Sequence, residues 1–134
     1  MATKEQMEEF FQSAEYGVVG ASSDREKYGN KVLRVYLQQG KRVIPVNPKE
    51  HVIEGVACVA SVSELPPQVK SISVVTPPHV TEQVVELAIA KGVESIWMQP
   101  GAESHAAVEK CRKGGINVIA DGSCILVVLG YREQ

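Results

Sequence analysis

Along this chain, short apolar runs alternate with longer stretches in which apolar residues recur every three or four positions. Tyr16–Val19, "RVIPV" (42–46), "SISVV" (71–75), "SIWM" (95–98) and "NVIA" (117–120) have the length and character of buried strands. Between them the spacing predicts helices over about 30–39, 80–91 and 104–113, stopped at Gly40, Gly92 and Gly114-Gly115. Val32, Leu33, Tyr36 and Leu37 mark the inward face of the first of these helices. Val84, Leu87 and Ala88 mark that of the second. Near the start, Thr3 and Gln6 read as a capping box for a helix whose stripe is Met7, Phe10, Phe11 and Ala14. The segment 52–67 is less regular, with a turn at Glu54-Gly55 and a helical turn near Ser63–Leu65 closed by Pro66-Pro67.

Strands of four or five residues alternating with helices of ten or more imply βαβ units and a parallel sheet covered on both faces. The expected fold is α/β, a Rossmann-like doubly wound sheet of five mainly parallel strands, with strand order 3-2-1-4-5 as the starting assumption. Pro45 sits badly in that order: a strand residue without an N–H belongs at an edge or near a strand end.

Composition narrows the class. At 134 residues, 44% hydrophobic and 22% charged, the chain suits one folded domain, residues 1–134. A formal charge of −2 argues against bulk nucleic-acid or anionic-membrane binding. No run approaches the roughly 20 apolar residues of a membrane span. Cys58, Cys111 and Cys124 are odd in number and scattered, which favours reduced thiols over a zinc site or a disulfide framework, and a cytoplasmic location.

In an open parallel sheet, ligands bind beyond the carboxyl ends of the strands. The loops there are "GASSD", "NPKE", "TPPH", "QPGAE" and "DGSC", all small, polar and poor in charge. Such loops let a ligand approach the backbone. βα loops have this character in many folds, so only the five together point to a ligand cleft. A dinucleotide fingerprint needs G-x-G-x-x-G after the first strand and an acidic residue after the second. Gly17, Gly20 and Gly29 lack that spacing, and the second strand runs into Asn47-Pro48-Lys49. A lysine there suits a phosphorylated ribose, which disfavours NAD, leaves NADP open and fits an adenosine compound with an extra ribose phosphate better.

Coenzyme A has that chemistry. "VVGASSDREKYGNKVLRVYLQQGKRVIPVNPK", "VVTPP", "IWMQPGAES" and "VIADGSCILV" resemble the small CoA-binding domain proteins, which are similar to the CoA-binding domain of the succinyl-CoA synthetase α subunit. The resemblance runs from about Tyr16 to Val127 and implies a CoA or acyl-CoA ligand. It assigns Gly20, Ala21, Ser22 and Ser23, with Lys27, Asn30 and Lys31, to the pyrophosphate. Asn47, Pro48 and Lys49 would border the adenine and 3′-phosphoribose, Thr76, Pro77 and Pro78 the wall along the ligand, and Gln99, Pro100 and Gly101 the pantetheine path. Family members often carry arginine before the last cysteine; here Gly122-Ser123 precede Cys124, so no charged role carries over. Cys124 reads either as a buried structural thiol or as a partner for the CoA thiol. No Ser-His-Asp order, paired carboxylates or metal cluster stands out, and His51, His79 and His105 show no catalytic setting. The expectation is a binding module that acts as carrier, sensor or protein partner. An NADP-linked oxidoreductase or an acyl-CoA ligase component is the alternative.

Overall fold

The computed structural model describes residues 2–133. Helix α1 (Lys4–Phe10) starts at the expected capping box, with Thr3 and Gln6 each accepting from the other's backbone. Strand β1 (Glu15–Val19) leads through the first loop to α2 (Tyr28–Gln38), and β2 (Val43–Val46) follows. A small antiparallel hairpin, β3 (Val52–Ile53) and β4 (Val56–Ala57), turns at Glu54-Gly55, both with positive φ. A 3-10 turn (Val62–Glu64) then precedes β5 (Val69–Val74), α3 (Pro78–Lys91), β6 (Ser95–Met98), α4 (His105–Lys113) and β7 (Asn117–Ile119). A short helix, α5 (Ile125–Val128), follows the last strand.

The five main strands are all parallel, in the order β2-β1-β5-β6-β7. The α/β doubly wound architecture is as expected, but the strand order is not 3-2-1-4-5. The second strand lies at the edge and the first lies inside, so the order is 2-1-3-4-5 for the five sheet strands. Pro45 explains the outcome: its carbonyl faces away from β1, accepting from Val59 N–H at 3.0 Å, so its absent N–H falls on the outer edge, where Val59 makes an isolated bridge and no full strand pairs. Gly17 in β1 fits an interior strand, since an added Cβ would stand 3.0 Å from Ile72 and 3.1 Å from Leu65.

Period-two alternation sorts the strand side chains onto two faces. Val19, Ile72, Val74, Ile96 and Met98 meet α3 and α4. Tyr16, Val18, Trp97 and Ile119 meet α1, α2 and α5 on the other. On that second face β5 presents serines. Ser73 bonds Tyr36 Oη at 2.7 Å and Ser71 bonds Phe10 O at 2.6 Å. Their small size leaves room for aromatic packing, with Tyr16 stacked on Tyr36 and Phe10 set edge-on to Trp97. Three helix faces differ in detail from the expected stripes. In α2, Val35 is buried and Leu37 is 38% exposed. In α3, Thr81 and Val85 join the buried face, whereas Leu87 is 43% exposed. Helix α1 ends before Ala14, which is exposed. Among the described residues, no helix is long and apolar enough to cross a membrane.

Candidate functional site

Strand order reverses between β1 and β5, and in this class of sheet that crevice is where ligands bind. Two glycines shape it. Gly20, at φ +91°, presses its Cα against β5: an added Cβ would lie 2.5 Å from Val75 O. Gly29, in the first turn of α2, lies against Gly20 so closely that its Cβ would stand 2.1 Å from Gly20 O. The first loop is thereby clamped between the end of β5 and the start of α2. A cleft of about 440 Å³ opens beside it, lined by Gly20, Ala21, Ser22, Lys27, Tyr28 and Gly29 on one side and by Asn47, Val75, Thr76 and Pro77 on the other.

Both helices that begin at this cleft lack a side-chain cap. Lys27 is the N-cap of α2 and Pro77 that of α3, and neither side chain bonds the helix start. By contrast, α1 and α4 are capped by Thr3 and Ser104. The start of α2 offers backbone N–H groups and the positive end of the helix dipole, a setting that favours anions. At α3, Pro77 and Pro78 have no N–H and Val80 N–H bonds Pro77 O at 2.9 Å, so that start contributes chiefly its dipole. A second hollow of about 230 Å³ lies on the other side of Gly20, between Val46-Asn47-Pro48, Ala60-Ser61-Val62 and Val80, Val84 and Leu87 of α3. Its lining is largely aliphatic.

Polar contacts fix the loop from behind. Asn30 is fully buried, and its amide donates to Ser22 O at 2.8 Å and to Glu54 Oε2 at 3.1 Å while accepting from Arg34 Nε at 2.6 Å. Asn47 Nδ2 donates to Ala21 O at 2.8 Å, and Ser23 N–H donates to Glu50 at 2.9 Å. Hydrogen bonds from Ser23, aided by the Lys27 charge, hold the Glu50 carboxyl below its ordinary range. Tyr28, in the cleft wall, turns its hydroxyl onto Cys124 Sγ at 2.6 Å and Gln99 Oε1 at 3.0 Å. Burial, and then the bond to Cys124, push the Tyr28 phenol well above its usual value. Burial also raises the Cys111 thiol to about 11 and shifts Cys58 upward. Among the described residues, no group of three or more His, Cys, Asp or Glu side chains could hold a metal ion.

The model of the CoA binding domain matches residues 14–130, which takes in the cleft and every strand of the main sheet. The chain belongs to the CoA binding domain family. This CoA binding domain is 34% identical over 88 residues to the α subunit of an ADP-forming acetate–CoA ligase II from Pyrococcus furiosus, covering 65% of the chain and 19% of the relative. It is 30% identical over 103 residues to an ADP-forming acetate–CoA ligase I from Archaeoglobus fulgidus, covering 77% and 15% respectively. The chain therefore spans less than a fifth of either curated relative. Among solved structures, a conserved hypothetical protein from Pyrococcus furiosus superposes with a TM-score of 0.82 at 42% identity, covering 85% of this chain and 97% of that one.

Within the domain, the residues singled out from sequence fall into three groups. Gly20, Ala21, Ser22, Lys27, Asn47, Thr76 and Pro77 line the cleft, and Asn47 and Pro48 border the aliphatic hollow. Ser23 and Lys49 lie exposed at the rim; Lys49 N–H bonds Asn47 Oδ1 at 2.8 Å and thereby shapes the turn after β2. The others stand apart from the lining. Asn30 is an internal brace and not a ligand-facing side chain, because the helix turns it under the loop. Lys31 Nζ pairs instead with Glu133 at 3.4 Å. Pro78 is the first residue of α3 and is exposed, as are Pro100 and Gly101, and Gln99 is wholly enclosed. Tyr28, Gly29 and Val75 lie within the quoted motifs but receive no site role from them, and the Ala60–Val62 wall lies outside them. "KYGNK" carried the one sequence signal for the first two, an aromatic and a glycine at a helix start.

Proposed function

We propose that this chain binds coenzyme A or an acyl-CoA in the β1–β5 cleft and serves as a carrier, sensor or partner module without catalysing a reaction. The observation that carries the reading is the convergence of two uncapped helix starts, α2 and α3, on a glycine-walled cleft beside Lys27. The pyrophosphate then lies over Gly20, Ala21 and Ser22, where backbone can approach it closely. The aliphatic hollow beside Asn47 and Pro48 takes the adenine, and Lys49 at the rim meets the 3′-phosphate. From there the pantetheine arm runs past Thr76 and Pro77 toward Gln99.

Isothermal titration with CoA, acetyl-CoA, NAD and NADP tests this reading. Binding of a nicotinamide nucleotide with no heat from either CoA species would overturn it. A second reading, favoured by the two ligase relatives, is that the domain serves a larger acyl-CoA ligase. The discriminating assay is acetyl-CoA formation from acetate, CoA and ATP, expected to be absent with this chain alone and present once the ligase's remaining parts are added.

A further inference from the structure

Gln99 follows β6 with its side chain fully enclosed. Its Oε1 accepts two hydrogen bonds, from Tyr28 Oη at 3.0 Å and from Ile125 N at 2.9 Å. An N–H can only donate, so the Ile125 contact fixes which end of the amide is oxygen. The geminal Nε2 is left with no partner, and among the described residues it is the one buried side-chain nitrogen or oxygen in that state. Buried amide donors are almost always paired, so an orphan calls for an explanation.

The surroundings supply one. Tyr28 lines the cleft, and its hydroxyl stands between Gln99 and Cys124. Because Gln99 Oε1 can only accept, Tyr28 donates to it, and the Cys124 S–H must then donate to the phenol oxygen. Every proton in this chain of contacts is then assigned. The one unmet demand, set behind Tyr28 of the cleft wall, is for a hydrogen-bond acceptor.

We propose that Gln99, screened by Tyr28 and Cys124, is a subsite for the thioester carbonyl of an acyl-CoA, so that the domain prefers the acylated carrier to the free thiol. This inference rests on the CoA reading above. A thioester carbonyl is a neutral oxygen acceptor, whereas a thiol offers only weakly accepting sulfur. Gln99 is fully enclosed behind the half-buried Tyr28 ring, so on this proposal that ring swings aside as the acyl end enters. The two hydrogen bonds it gives up are replaced by contacts to the ligand.

The test compares CoA, acetyl-CoA and S-ethyl-CoA, a thioether of matching length without the carbonyl, by isothermal titration on the full chain. One neutral hydrogen bond to a buried donor predicts acetyl-CoA binding about tenfold tighter than the thioether. Gln99→Met keeps the side chain's length and removes the donor, and should bring the two ligands within about twofold. That variant also strips an acceptor from Ile125 and Tyr28, so its melting curve is recorded alongside; the ligand ratio on the unaltered chain decides whether or not the variant folds. Equal affinities for acetyl-CoA and S-ethyl-CoA overturn the subsite and leave CoA binding standing. Failure of all three ligands to bind overturns both.

Discussion

Replacing Gly29 with alanine tests whether the first loop is held by close backbone contact. Gly29 has an ordinary helical φ, so the new methyl meets no backbone strain of its own. It does meet Gly20 O at 2.1 Å, Gly20 C at 3.1 Å and Ala21 Cα at 3.3 Å, all of them backbone atoms with no rotamer to change. To reach ordinary contact, the start of α2 and the Gly20 loop must separate by about 1 Å. Overpacking of this kind costs about 1–3 kcal/mol, from which alanine's better helix propensity recovers up to about 1 kcal/mol. A net loss of about 1–2 kcal/mol corresponds to a fall in Tm of roughly 3–10 °C for a domain of this size. The cleft wall moves with the loop, so CoA affinity should fall by about tenfold or more, in line with the effect of a misplaced binding group. Gly40→Ala is the control: at φ +68° it is strained, but nothing lies within 4 Å and it stands far from the cleft. It should cost about 1 kcal/mol and leave CoA affinity unchanged. Thermal melts and titrations on both variants decide the matter. A Gly29→Ala protein with unaltered Tm and unaltered affinity would refute the clamp.

Asn30→Ala removes the buried amide that Ser22 O, Glu54 Oε2 and Arg34 Nε share and should lower stability by about 2–4 kcal/mol, read by denaturant unfolding; a loss under about 0.5 kcal/mol would refute its bracing role. Lys27→Ala should weaken CoA several-fold at low salt, with the gap closing near 0.5 M salt, whereas a salt-independent loss would place Lys27 outside the phosphate site. Lys49→Ala should weaken CoA more than dephospho-CoA in parallel titrations, and equal losses would remove the 3′-phosphate role. The Asp121 carboxyl is held down to about 2 by the Ser123 hydroxyl first and the Ala2 N–H next. A depressed carboxyl contributes stability above its unfolded value, and that contribution is lost as pH falls toward 2. The 121–124 loop should therefore loosen between about pH 4 and pH 2. Trp97, the single tryptophan, bonds Ser123 O at 3.1 Å and reports the change by fluorescence. Asp121→Asn should flatten that transition, at a cost under about 1 kcal/mol at neutral pH because the group is exposed.

The sequence by itself determined the five main strands, the helices α1 to α4, their alternation and the family, but not the β3–β4 pairing or α5. Strand runs such as "SIWM", the Thr3–Gln6 box and the glycine stops depend on contacts a few residues apart, so they can be read locally. The ordered loops also named most of the cleft lining, because a parallel sheet delivers every strand's carboxyl end to one edge. Strand order was settled only in three dimensions: it depends on which edge can tolerate Pro45 and on the packing of Gly17 against Ile72 and Leu65. The same holds for the direction in which a polar residue points once its helix is seated. Asn30 and Lys31 share the helix start with Lys27, yet one turns under the loop and the other toward Glu133. Gln99, Tyr28 and Cys124 stand 71 and 96 positions apart in their pairings with Tyr28, beyond the reach of any local pattern. Their meeting, and the amide nitrogen it leaves unpaired, belong to the tertiary structure alone.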